Sequence, residues 1–257
     1  MRIIKSLQNE QIKMFAKLKE KKYRDEMGLF IVEGDHLVRM AHEANCLVTL
    51  LVAEEDLENY LDIINEDNTI IVTESIINKL SFTKSPQNII GIAKQNTYDK
   101  KDVSKVLVLD TLQDPGNVGT LIRSALAFNY DKVYVSESTV DVYNEKVVRA
   151  SQGAIFKINI VKKELNQIYR ILKMNEFQII VTSLTNNSVF LKDLKPKEKF
   201  AIVLGNEGNG VSEVSLKNAT DVVKIRMSDK IDSLNVAVAG SIVMYNLGEG
   251  NVEWDFQ

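Results

Sequence analysis

Three polar stretches carry the side chains most able to do chemistry: "DPGNVGTLIRSA" (114–125), "IVLGNEGNGVS" (202–212) and "IRMSDKIDSLNVAVAGSIVMYN" (225–246). Each follows an apolar run that reads as a strand. Between them they offer Asn117, Arg123, Glu207, Ser233 and Asn235. A guanidinium grips phosphate or a developing oxyanion. A carboxylate takes up protons or fixes a neighbouring donor. Ligands of open α/β sheets sit beyond the carboxyl ends of the strands, so three such turns in one sheet make a composite site. The second stretch adds Gly205, Gly208 and Gly210, which signal close approach of backbone. A phosphate cradle is the first candidate for these glycines, but the pattern does not fit it. A dinucleotide fingerprint follows the first strand of a βαβ unit, and a P-loop ends in Lys and then Ser or Thr. Here the glycines come several strands later and lack that ending, which argues against a nucleotide-dependent dehydrogenase. Each residue also has a purely structural reading. Asn117 suits a turn beside Pro115, Arg123 an exposed helix position and Glu207 a loop; Ser233 and Asn235 suit helix N-caps.

The elements that must hold these turns follow from periodicity. The pattern predicts two α/β domains, with 1–95 as the first, 96–104 as a polar linker and 105–257 as the second. In the first, helical spacing runs through Ile12, Phe15 and Ala16. Strands follow at 28–34, 47–53, 69–73 and 89–93, and helices at 35–44 (with Asp35 as N-cap), 55–64 and 74–80. This alternation predicts a largely parallel sheet. In the second, "KVLVLD" (105–110) is continuous and apolar, as a strand buried on both faces is. A loop over 111–119 leads to a helix at 120–129. Strands at 132–136, 157–161, 178–183, 200–205 and 221–227 and a helix around 140–151 complete the pattern. The closing helix, 234–247, is apolar on nearly every side, which predicts burial in a core or against another subunit.

Composition narrows the class. The chain has 257 residues, a net charge of −3 and the apolar and charged fractions of a water-soluble globular protein. Cys46 is the single cysteine, which excludes an internal disulfide and fits a reducing cytoplasm. With only His36 and His42 as histidines, a His/Cys metal cluster is not expected. No signal-peptide pattern opens the chain, and no apolar run is long enough to span a bilayer. Charge is uneven, however. Lys13, Lys17, Lys19, Lys21, Lys22 and Arg24 face only Glu20 in that segment. This is either a solvated helix face or an arm that meets nucleic acid.

Taken together, the three stretches resemble the motifs of the SpoU branch of the SPOUT RNA methyltransferases. Asn117, Gly119 and Arg123 match the first motif, Gly205, Glu207 and Gly208 the second, and Ser233, Leu234 and Asn235 the third. "MGLFIVEGDHLV" (27–38) and "SPQNIIGIAK" (85–94) are similar to parts of an L30e-like RNA-binding domain found in members of that family. The resemblance implies an α/β fold with a small N-terminal L30e-like domain. The C-terminal SPOUT domain would have a mostly parallel sheet and a deep trefoil knot. It implies S-adenosylmethionine as cofactor, held largely through backbone at Gly205, Ile225 and Leu234, with help from Thr182, Leu204 and Met227. It implies methylation of a ribose 2′-hydroxyl, with rRNA as the first substrate and tRNA as the alternative. A non-catalytic RNA-binding or ribosome-assembly protein on the same fold is the competing class. Arg123, Asn117, Glu207, Ser233 and Asn235 would form the catalytic group, with Glu207 able to act as a base if its pKa were raised. Lys21, Lys22 and Arg24 would meet RNA phosphates, and the chain would act as a homodimer without metal or membrane. One departure is Ile225-Arg226-Met227 where the family commonly reads Ile-Pro-Met; the missing Pro leaves that backbone less constrained.

Overall fold

The structure is a computed structural model that describes residues 1–95, 102–185 and 188–248; residues 96–101 of the expected linker lie outside these. Its residues fall into two units. The first holds residues 1–95 with Tyr143–Phe156, and the second holds the rest. The sequence assigns 143–156 to the second domain, yet these residues pack with the first.

The first unit contains β1 (Arg2–Ile4), α1 (Glu10–Lys17), α2 (Lys21–Met27), β2 (Leu29–Glu33), α3 (Asp35–Glu43) and β3 (Leu47–Ala53). It continues with β4 (Thr69–Val72), α4 (Glu74–Leu80) and β5 (Ile89–Lys94). The sheet order is β1-β4-β3-β5-β2. β1, β4 and β3 run parallel, but β5 is antiparallel to both β3 and β2. The largely parallel sheet expected for this domain is therefore a mixed one. Alternating strands and helices suit either a crossover or an antiparallel return, and residues 81–88 supply the length for the return. Ile12, Phe15 and Leu18 pack with Ile76, Ile77 and Leu80 over Ile31, Leu51, Ile70 and Ile90. The segment expected as an α-helix over 55–64 is a 3₁₀ helix, Glu54–Tyr60, in which only Tyr60 is buried. Too little apolar surface is covered there to extend an α-helix. Gly34, not Asp35, is the N-cap of α3, and the Asp35 carboxylate accepts instead from Arg39 Nε at 2.7 Å.

The second unit has β6 (Lys105–Leu109), α5 (Pro115–Ala127), β7 (Lys132–Ser136), β8 (Asn159–Lys163), α7 (Leu165–Met174), β9 (Gln178–Thr182) and β10 (Val189–Phe190). β11 (Phe200–Leu204), α8 (Glu213–Asn218), β12 (Asp221–Lys224) and α9 (Val236–Gly248) follow. Between β7 and β8 lies α6 (Glu145–Ala150), part of the segment that joins the first unit. The sheet order is β10-β12-β9-β11-β6-β7-β8, and every strand pair in it is parallel. This matches the mostly parallel sheet expected for the second domain. The apolar runs of β6, β9 and β11 occupy its centre, where both faces are covered. α7, α8 and the short edge strand β10 are not among the expected elements, although Leu165, Ile168, Tyr169 and Leu172 give α7 a clear helical spacing. α9 buries Ala237, Gly240, Val243, Met244 and Leu247, while Val238, Ile242 and Tyr245 are exposed.

Arg24 departs from expectation. It is 4% exposed, and its Nη1 donates to the carbonyls of Leu18 at 2.9 Å and Lys19 at 2.8 Å. These carbonyls close the turn between α1 and α2, so the guanidinium is a structural clasp and does not face phosphate. Lys21 pairs with Asp25 at the surface, and Lys22 Nζ lies 5.7 Å from the centre of the Tyr23 ring. Charged donors of this kind contribute about 2 kcal/mol when their acceptors are buried. Arg24→Ala should lower unfolding stability by about that amount, whereas Lys21→Ala and Lys22→Ala should change it little; urea titration of the three variants checks this.

Candidate functional site

The three turns meet at the carboxyl edge of the parallel sheet of the second unit. The first turn is more helical than its sequence suggests. Asp114 caps α5, its Oδ1 accepting from Asn117 N–H at 2.7 Å, and Pro115 begins the helix, where a missing N–H costs nothing. Asn117 and Gly119 are therefore helical residues rather than loop residues. The second turn, after β11, closes on itself, with Gly210 N–H donating to the Asn206 carbonyl at 2.9 Å. A Cβ on Gly205 would collide with the backbone of Gly210 and Val211, and Gly210 has a φ of +69°. The glycines thus serve first to fold the turn tightly. In the third turn Asn235 alone caps α9, accepting from Ala237 N–H at 2.9 Å and Val238 N–H at 3.2 Å. Ser233, expected as a cap, is exposed on the wall of the adjoining cavity.

Side-chain hydrogen bonds link the turns. Asn117 Nδ2 donates to Glu207 Oε1 at 3.1 Å, and Asn235 Nδ2 donates to Asn117 Oδ1 at 3.0 Å. Glu207 also accepts from the N–H groups of Gln113 and Asp114, at 3.4 and 3.3 Å, and Asn206 Nδ2 donates to the Thr111 carbonyl at 3.0 Å. Burial alone would raise the Glu207 pKa. Hydrogen bonds from its own backbone, from Asn117 and from the N–H groups of Gln113 and Asp114 outweigh that and hold it below the usual carboxylate range. This is the opposite of the raised value that a base working near neutrality needs, so Glu207 is an ionised anchor. Arg123 lies exposed on α5 and has no partner among the described residues.

Beside the linked turns is an open cavity of about 660 Å³. Thr182, Gly205, Ile225, Met227 and Leu234 line it, together with Glu207 and Asn235. The backbone N–H groups of Ile225, Met227 and Leu234 have no hydrogen-bond partner among the described residues. Main-chain donors left open on a partly apolar wall suit the adenine and ribose of S-adenosylmethionine, and the volume is that of a small-molecule site. Leu204, expected at the cofactor, is 1% exposed and not part of the lining; its carbonyl accepts from Asp110 N–H at 2.8 Å. Arg226 stacks on Phe190, its guanidinium carbon 4.7 Å from the ring centre. This contact braces the position that lacks the family's Pro.

One residue escapes sequence reasoning altogether. Asp110, at the end of β6, is wholly buried, and its Oδ2 accepts from Ser212 N–H at 2.8 Å and from the Ser215 hydroxyl. Tyr169 O–H donates to the same Ser215 Oγ at 2.6 Å. The carboxylate therefore fixes the exit of the glycine turn from beneath. A lone Asp ending an apolar run was the only signal for it.

Fold and site together define an α/β protein whose small-molecule cavity is assembled by turns at the carboxyl edge of a parallel sheet. The chain belongs to the SpoU rRNA Methylase family, which matches residues 104–245. Residues 9–91 match the MRM3-like substrate binding domain. The chain is 31% identical over 247 residues to the 23S rRNA (guanosine(2553)-2′-O)-methyltransferase RlmP of Bacillus subtilis, covering 96% of this chain and 99% of that one. An AdoMet-bound rRNA methyltransferase from Sinorhizobium meliloti superposes with a TM-score of 0.87 at 26% identity, covering 98% of this chain and 99% of that one. The SpoU methyltransferase AviRb of Streptomyces viridochromogenes shares the fold, with a TM-score of 0.81 at 21% identity over 93% of this chain and 96% of that one.

The lowered Glu207 pKa has a stability consequence. Its contribution is complete above the unfolded carboxyl value, about 4.3, and is lost as pH falls through the lower folded value. Glu207→Gln should therefore be less stable than the parent at pH 6, and the two should converge in acid; urea titrations across that range measure it.

Proposed function

We propose that this protein transfers a methyl group from S-adenosylmethionine to a ribose 2′-hydroxyl in 23S rRNA. The observation that carries this reading is the linkage of Glu207, Asn117 and Asn235 beside a cavity with open main-chain donors. The full-length similarity to the RlmP methyltransferase supports rRNA as the substrate. S-adenosylmethionine supplies an electrophilic methyl group. The backbone at Gly205, Ile225, Met227 and Leu234 would hold it, with Thr182 at the strand end.

The protein's task is then one of positioning. Glu207 stays ionised and fixes the Asn117 amide, which presents its carbonyl oxygen to Asn235. Arg123 holds a phosphate next to the target ribose and stabilises negative charge as it develops on the 2′-oxygen. A guanidinium does not give up its proton in proteins, so Arg123 is not the base. Ser233, exposed on the cavity wall, would join them at the substrate.

The remaining features complete the proposal. Residues 1–95 would form the RNA substrate-binding domain, 96–104 the linker and 105–257 the methyltransferase domain, which lends Tyr143–Phe156 to the first unit; the segments matched by the two families support this division. Lys21 and Lys22 add salt-sensitive contacts to RNA phosphates. The family resemblance adds a deep trefoil knot to the proposal; in the second unit α9 packs on α5, and Lys105 Nζ donates to the Gly248 carbonyl at 3.0 Å. The exposed apolar face of α9, with Val238, Ile242 and Tyr245, supports a homodimer. The enzyme would work in the cytoplasm.

Mapping 2′-O-methyl groups on rRNA from cells with and without the protein should reveal one site that depends on it. In vitro, Arg123→Ala should lower kcat by about 100-fold or more, with Arg123→Lys intermediate. Near-normal rates for both variants would overturn the assignment.

A further inference from the structure

The first unit holds a second cavity, of about 230 Å³. Its floor is apolar, made by Ile31, Leu37, Phe82 and Val148, and Glu33, Gln87, Glu145 and Arg149 stand around it. Two distant parts of the chain build it. Residues 31–87 come from the segment matched by the substrate-binding family, whereas Glu145, Val148 and Arg149 come from α6, inside the segment matched by the methylase family. α6 packs with the first unit, where Phe30 stacks near Tyr143 and Phe156 with ring centres 4.8 and 6.1 Å apart.

The wall chemistry identifies the ligand. Glu33 is locked in place: its oxygens accept from the Ser81 hydroxyl, from the Thr83 hydroxyl at 2.6 Å and from Phe82 N–H at 3.0 Å. These bonds hold it ionised against the effect of burial. Glu145 and Arg149 have no side-chain partner among the described residues. Gln87 uses its oxygen to accept from Asp35 N–H at 2.6 Å, which leaves its amide N–H groups available. Two carboxylates against one guanidinium give the lining a negative balance, which disfavours phosphate. The same groups suit a flat, neutral ring that presents adjacent N–H donors on one edge and acceptors on another. Guanine is that ring, since its N1–H and N2–H groups donate to a carboxylate while its O6 and N7 accept from Arg. Sequence-specific RNA recognition commonly takes an unstacked base against an aromatic or apolar surface, and Phe82 and Val148 offer one.

We infer that this cavity captures an unstacked guanine of the RNA substrate above Phe82, with Glu145 taking its N1–H and N2–H groups and with Arg149, one turn along α6, and Gln87 taking O6 and N7 on the adjoining edge. The inference rests on the RNA methyltransferase reading above, which makes RNA the ligand.

The test uses the full chain and three fluorescent RNA hairpins that differ only in one looped-out base: guanine, inosine or adenine. Fluorescence anisotropy should show the guanine hairpin bound about tenfold or more tightly than the adenine one, with inosine, which lacks the N2 amine, between them. Glu145→Gln and Arg149→Ala should each remove that preference, with circular dichroism confirming that both fold. With rRNA from cells lacking the protein as substrate, both variants should lose activity chiefly through KM rather than kcat. Equal binding of the three hairpins by the parent protein overturns the inference. So does a parallel weakening of all three by Arg149→Ala, which would mark a phosphate contact. Binding needs no turnover, so a guanine preference without methyl transfer would support the cavity assignment and sink the catalytic reading.

Discussion

The site depends on one short chain of hydrogen bonds, from Asn235 to Asn117 to Glu207. Its members sit on three different turns, and the two bonds join residues 118 and 90 positions apart in sequence. Glu207 anchors the chain because it is ionised and accepts four donors, its own backbone included. Bonds to a charged acceptor are about twice as strong as neutral ones, so the carboxylate fixes the amide of Asn117 and thereby sets which atom Asn117 offers to Asn235. Each turn also has a further support. Asp114 caps α5, Asn235 caps α9, and Asp110 holds the far end of the glycine turn from below.

Glycine plays a different part from the one that a glycine-rich loop suggests. Gly205 has no room for a side chain because the turn folds back on itself, and Gly210 supplies the left-handed backbone that lets it do so. The result is a compact turn with Glu207 at its tip. Ile225, Met227 and Leu234 add open main-chain donors to the same cavity wall.

The first unit shows how a chain can borrow structure across a domain boundary. α6 lies in sequence between two strands of the second sheet, yet its residues pack around Phe30 of β2. The small cavity built this way includes groups from the segment matched by the SpoU family. Arg24 shows the converse. It sits in the basic run that the family resemblance reads as an RNA arm, but two backbone carbonyls claim its guanidinium.

The sequence by itself determined the strands other than β1 and β10, the identity and order of the three turns, and part of the cavity lining. Apolar runs and turn residues are local signals, and β6, β9 and β11 carry them without ambiguity. Tertiary structure alone decided the direction of β5, the docking of α6, the burial of Arg24 and Leu204, the support from Asp110, and the ionised state of Glu207. Apart from the Arg24 clasp, whose carbonyl partners lie five and six residues back, each of these depends on a partner far away along the chain. Periodicity records which face of an element is apolar, and it does not record what that face, or a single polar atom, will meet.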